Sequence, residues 1–199
     1  MKKFIMNLIK TGMLLSLVAC SSQPAVKKQV SEEEEVVQVE KLDGEKIAVV
    51  YFSATGNTKE VAIKLSEELD ADLYEIVPSV AYTEEDINYT DDACRANREM
   101  NDESSRPEFE EIPEVEKYST ILLGYPIWWG TAPRIIQTFL ETYPLENTKI
   151  YTFCTSGGSG IEQSLKDLQG LYPEKKIVNG KRFGSSSKEE VKEYLQEIE

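Results

Sequence analysis

The 199-residue chain contains no histidine. That absence removes Ser-His-Asp catalysis, imidazole-based zinc sites and imidazole acid-base chemistry. Cysteine is scarce: Cys20, Cys94 and Cys154 are too few and too widely spaced for a disulfide framework or a metal knuckle, although a single bridge stays open. No metal is expected. Basic residues are in the minority, 22 Lys and Arg against 36 Asp and Glu, and the net charge of −14 argues against nucleic acid as a partner. No apolar run approaches the roughly 20 residues that a membrane-spanning helix requires, and no internal repeat is visible.

What is present begins at the amino terminus. Lys2 and Lys3 precede an apolar stretch from Gly12 to Ala19, which reaches Cys20 in the tetrad Leu17-Val18-Ala19-Cys20. Positive charge followed by a short apolar run reads as an export signal. An ordinary cleaved signal ends in a small-x-small pattern, whereas here a small residue precedes cysteine, which resembles the bacterial lipoprotein lipobox. The resemblance implies a diacylglyceryl group on Cys20, cleavage on its amino side, and an extracytoplasmic chain anchored to the cell membrane; two acyl chains suffice for stable attachment. The competing reading is an incidental cysteine within a secretory signal. From Ser21 to about Glu45 the chain is polar, with the acidic run Glu32 to Glu35 and no apolar periodicity, so it reads as a disordered tether. The expected organisation is a signal peptide over 1–19, a lipidated Cys20 and tether over 20–45, and one folded domain over 46–199. Loss of 1–19 removes Lys2, Lys3 and Lys10 but no acid, moving the net charge to −17. Such a surface serves solubility, or docking to a basic redox partner.

From residue 46 the pattern alternates. Ile47 to Phe52 is an apolar, β-branched run without polar alternation, as in a strand buried on both faces of a sheet. Asn57 is expected to cap a helix, with Glu60 three residues on and Val61, Ala62, Leu65 and Leu69 along one face. Further strands are predicted at Leu73–Val77, Thr120–Gly124, Lys149–Cys154 and Lys176–Val178. Helices are predicted after Pro133, through Ile161, Leu165 and Leu168 with closure at Gly170, and after a Ser187/Glu190 capping box. This repetition requires right-handed crossovers and a parallel sheet with helices on both faces, a three-layer α/β sandwich. Ser79 to Lys117 breaks the rhythm. It is acid-rich and long, with a helix expected over Asp91–Asn101 and the rest a mobile excursion.

Three loops carry the chemistry. Ser53-Ala54-Thr55-Gly56-Asn57-Thr58 follows the first strand and leads straight into a helix, where unpaired amides, a positive dipole end and hydroxyls suit a phosphate without any Lys or Arg. It is neither a Walker loop nor the three-glycine dinucleotide fingerprint. The bland alternative is a hydroxyl-rich turn that merely caps a helix. After the third strand comes Tyr125-Pro126-Ile127-Trp128-Trp129-Gly130-Thr131, holding both tryptophans of the protein. An indole offers a stacking surface to a planar aromatic ligand, and one of the two is expected simply to pack beneath the loop. After the fourth strand, Thr155-Ser156-Gly157-Gly158-Ser159-Gly160 offers backbone and hydroxyl groups at close range. In a parallel sheet all three loops fall on one rim, where ligands bind.

These segments resemble the flavodoxin family, in particular a short-chain group with Thr-Gly-Asn-Thr, Gly-Tyr-Pro-Ile-Trp-Trp-Gly and Gly-Gly-Ser-Gly segments in this order. The resemblance covers about residues 46–199. It implies a five-stranded parallel sheet of order 2-1-3-4-5 and an FMN cofactor, with the phosphate on Ser53, Thr55, Gly56, Asn57 and Thr58 and the ring flanked by Pro126–Gly130 and Thr155–Gly160. Relatives often carry histidine after the threonine of the last loop; here Ser156 stands, which puts any role of that histidine in doubt. The implied function is electron transfer with redox partner proteins. An FMN-dependent NAD(P)H or quinone reductase is the alternative, with the 79–117 excursion as a lid and Arg95, Arg98 and Arg106 either attracting an anion or pairing with acids. A flavin-free binding protein on the same fold is a third reading. Surrounding acids disfavour negative charge on a reduced ring, so a low potential is expected.

Overall fold

The computed structural model describes residues 46–198; the expected signal segment, the lipidation at Cys20, the tether and Glu199 lie outside the described residues. Five strands, β1 (Ile47–Tyr51), β2 (Asp72–Glu75), β3 (Thr120–Pro126), β4 (Lys149–Thr155) and β5 (Lys176–Phe183), form one sheet. All neighbours are parallel and the order is β2-β1-β3-β4-β5, as expected. Among the described residues five α-helices accompany them: α1 (Asn57–Leu69), α2 (Arg95–Asn101), α3 (Arg134–Thr142), α4 (Glu162–Leu171) and α5 (Lys188–Gln196).

Because side chains alternate across a strand, the apolar runs of β1, β3 and β4 feed two cores. Ala48, Val50, Ile121, Leu123 and Ile150 pack with Ile135, Ile136, Phe139 and Leu140 of α3 and Leu168 of α4. Val49, Tyr51, Leu122, Tyr151 and Phe153 pack with Val61, Ala62 and Leu65 of α1 and Val191, Tyr194 and Leu195 of α5. Each fully buried large side chain contributes about 1.5–3 kcal/mol. Gly124 makes room for one of them: a Cβ there would lie 2.1 Å from Cζ of Phe153.

Several element ends depart from expectation for identifiable reasons. Asn57 is not the cap of α1 but its first residue; Gly56, at φ 90°, occupies the cap position without a side-chain hydrogen bond. The tight turn after β1 needs a left-handed residue there, which glycine supplies cheaply. α2 begins at Arg95 rather than Asp91, because Oδ1 of Asp91 accepts from the Ala93 amide (2.9 Å) and holds a turn, and the Cys94 sulfur caps the Asn97 amide (3.3 Å). α4 runs through Gly170 to Leu171, with Tyr172 as its cap and Pro173 next. Ser187 caps the Glu190 amide as expected (3.2 Å), but the Glu190 carboxylate bonds Gly184 and Ser185 instead of completing the box.

β5 continues to Phe183, well beyond Val178. An extra residue opposite Tyr151 shifts the register, so that Ile150 pairs with Ile177 but Thr152 with Gly180. The 79–117 segment is anchored rather than loose. Pro78 bridges Phe109, the Glu110 amide donates to the Val77 carbonyl (2.8 Å), and Ile112 and Val115 are buried. Arg134 of α3 donates to the Met100 carbonyl at 2.9 Å. Cys94 and Cys154 are free, buried thiols.

Candidate functional site

The ends of β1, β3 and β4 bring the three loops to one rim, around a cleft of about 400 Å³. Thr55 and Asn57 line it from the first loop. Pro126, Ile127 and Trp128 line it from the second, and Thr155, Ser156 and Gly157 from the third. Ser53, Gly56 and Thr58 build the turn beneath: the Gly56 amide donates to the Ser53 hydroxyl at 3.1 Å, and the buried Thr58 hydroxyl meets the Thr155 hydroxyl at 2.8 Å. That last bond ties the first loop to the third. Without a side-chain cap, the first amides of α1 keep unused hydrogen-bonding capacity, at the positive end of the helix.

The second loop is a two-residue hairpin turn. Trp128 and Thr131 exchange both backbone hydrogen bonds at 3.0 Å, with Trp129 and Gly130 at φ 49° and 82° between them. The two indoles part company here. Trp128 packs at 5.7 Å from Phe52 and 5.3 Å from Tyr82, ring centroid to centroid, and presents part of its surface to the cleft. Trp129 stays 47 % exposed and does not line the cleft. Tyr82 itself is fixed by a 2.5 Å hydrogen bond to Glu99; burial first, then that bond, pushes its phenol well above the ordinary value.

In the third loop the Ser156 hydroxyl donates to the Ser159 carbonyl. Arg182 of β5 reaches the same residue, Nε donating to its hydroxyl (3.2 Å) and a terminal nitrogen to its carbonyl (3.3 Å). A guanidinium therefore holds Ser156 through both its hydroxyl and its carbonyl. Gly157 and Gly158 have open space where a Cβ would stand, leaving backbone accessible, while Ser159 and Gly160 complete the outer turn. Below, burial pushes the Cys154 thiol up to about 12 and the Tyr125 phenol up to about 12, so both are neutral at ordinary pH.

Sequence reasoning missed one wall. Phe183, Gly184, Ser185 and Ser186, the turn between β5 and α5, also line the cleft, as do Glu60 and Val61. The signal is a glycine followed by three serines ahead of a helix, which repeats the chemistry of the first loop; the bulge in β5 hides that the strand leads into it. The arginines of the 79–117 segment are engaged with the protein: Arg95 with Glu99 at 2.6 Å, Arg98 with the Ala93 carbonyl, and Arg106 in a two-point pair with Glu141 at 2.7 and 2.9 Å.

A doubly wound parallel sheet of order 2-1-3-4-5, with a cleft where the connections change direction, defines the flavodoxin-like class, and flavodoxin is the standard illustration of that rule. The chain belongs to the flavodoxin family, whose model matches residues 46–198. It is 38 % identical to a protein assigned as a flavoprotein from Bacteroides eggerthii, with a TM-score of 0.74 over 77 % of this chain and 98 % of that one. It is 40 % identical to a second such protein, from Bacteroides uniformis, again at 0.74 and over 77 % and 99 % of the two chains. A flavoprotein in complex with FMN from Lactobacillus acidophilus shares the fold at 24 % identity and TM-score 0.57, over 69 % of this chain and 93 % of that one. No curated protein matches the chain.

Proposed function

We propose that the domain binds FMN in this cleft and acts as an electron-transfer protein, held at the outer face of a bacterial membrane by a lipid on Cys20. The observation that carries the cofactor reading is the convergence, on one rim, of an uncapped helix start, a partly exposed indole and an open glycine backbone. The residues fit the group. A phosphate at the Thr55–Thr58 turn meets first-turn amides and the helix dipole, and no Lys or Arg lines the cleft to do that work. Pro126, Ile127 and Trp128 offer apolar surface to one side of a ring, and the Ser156–Gly157 backbone offers polar groups to its edge.

The bound flavin supplies the redox chemistry. The protein's part is to hold it, keep water from its inner face and set the local charge. The Thr58–Thr155 hydroxyl bond keeps two walls in register, and Arg182 fixes the third loop through Ser156. Among the described residues Glu60 is the one ionisable side chain that lines the cleft, and burial keeps the Cys154 thiol beneath it neutral. That suits a carrier more than a hydrolase or transferase.

Absorbance titration of the purified chain with FMN, in parallel with riboflavin, tests the reading. The expectation is saturable binding with FMN at least about tenfold tighter, since the phosphate gains roughly 1.4 kcal/mol or more at a helix start. Equal affinities would remove the phosphate from the proposed turn, and no spectral change would leave the fold without its cofactor.

A further inference from the structure

Beyond the cleft, and sharing its Ile127 and Trp128 walls, lies a second hollow of about 290 Å³. Its other walls are Trp129 from the hairpin turn and Ile87, Tyr89 and Ala96 from the 79–117 segment. None of these is charged. The nearby guanidiniums are already occupied: Arg95 by Glu99 and the Val80 carbonyl, Arg98 by the Ala93 carbonyl, Arg134 by the Glu99 and Met100 carbonyls. An anionic ligand, including a phosphorylated dinucleotide, has no counter-charge in this hollow.

Trp129 is the second, independent observation. A two-residue turn with both central residues at positive φ favours Asn-Gly, because Asn tolerates the left-handed region and a bulky side chain does not. Here Gly130 follows the rule and Trp129, at φ 49°, breaks it. The strain is not repaid by burial, since the indole stays 47 % exposed and Tyr89 across the hollow is 75 % exposed. A strained residue kept at a solvent-facing position points to a role for its side chain, and three aromatic walls, Tyr89, Trp128 and Trp129, over a floor at buried Ala96 are suited to a flat ring.

From these walls we infer that the hollow binds an uncharged, planar, conjugated small molecule of one or two rings, of the quinone class. The inference rests on the cofactor reading in one respect only: with FMN in the cleft, Trp128 and Ile127 separate the two ligands. Binding itself needs no cofactor atom.

The test is calorimetric titration of the FMN-loaded full chain with duroquinone, which is fully substituted and does not alkylate cysteine. The same titration is run on the flavin-free chain and on the Trp129→Asn and Tyr89→Ala variants. The wild-type chain is expected to bind one equivalent in either state. Trp129→Asn is expected to weaken that binding at least about tenfold, to leave FMN affinity within about threefold, and to raise the melting temperature, because Asn suits the turn. Tyr89→Ala, at an exposed position that folding does not need, is expected to weaken it too. Absence of saturable binding, or Trp129→Asn binding as wild type does, overturns the inference. So does a loss of FMN affinity matching the loss for duroquinone, which would assign the indole to the cofactor. A wild-type dimer that Trp129→Asn dissolves, without quinone binding, also overturns it by making the hollow a self-interface. Failure to load FMN would strike the cofactor reading alone, since the flavin-free titration still decides the hollow.

Discussion

Single side chains set the terms of the cleft. Glu60 stands in the first turn of α1 and lines the cleft where a phosphate is proposed to bind. Its carboxylate favours the helix dipole in the empty protein but repels a second anion at the same place. Glu60→Gln is therefore expected to tighten FMN binding by about three- to tenfold, on the order of 1 kcal/mol, read from the absorbance titration. Unchanged affinity would place the phosphate elsewhere. Gly124 carries a different constraint: Ala at this position puts a methyl into the Phe153 ring, in a core with no slack. A loss of roughly 1–3 kcal/mol in denaturant unfolding is expected, and a neutral result would show that the Phe153 ring has room to move.

Elements show where sequence is a good guide and where it is not. β1, β3 and β4 were legible because a strand covered on both faces is written as an unbroken apolar run. β5 lies at the edge, and its bulge places Asn179 and Gly180 where an apolar pattern would have continued. The apolar pattern consequently stops at Val178, and nothing in it points to the Phe183–Ser186 wall of the cleft. The start of α1 differs from the sequence pattern because Gly56, at φ 90° and without a side chain, takes the cap position, so the box that Asn57 and Glu60 suggest does not form. The two indoles were told apart only by their surroundings, Trp128 being held by Phe52 and Tyr82, residues far from it in sequence.

The β5–α5 turn has a pH dependence of its own. Burial alone would raise the Glu190 carboxyl; hydrogen bonds from the Gly184 and Ser185 amides and the Ser185 hydroxyl, at 2.8 to 3.0 Å, outweigh it and hold the group below its ordinary 4.5. A pKa depressed by folding contributes stability above 4.5 and loses it as pH falls through the folded value. The turn that lines the cleft is thus expected to loosen from about pH 4.5 downward. Glu190→Gln should lower stability near neutrality and show a shallower fall in melting temperature across that window than wild type. Equal slopes would deny the carboxylate this role.

At the scale of the whole molecule, two cores on either side of one sheet leave the rim free to carry function, and every wall of the cleft follows the carboxyl end of a strand or opens the helix after it. The proposed anchor belongs to this scale as well. Cys20→Ala is expected to move the chain from the membrane fraction to the soluble fraction, since acyl chains on that thiol are the proposed attachment; a variant that stays with the membrane would place the attachment elsewhere.

The most direct measurement is the electron density of FMN in crystals of the complex. The phosphate is expected against the amides that open α1, at Thr55–Thr58, with the ring between Trp128 and the Ser156–Gly157 backbone. Density for the phosphate away from that helix start, or for the ring outside the rim formed by β1, β3 and β4, would contradict it.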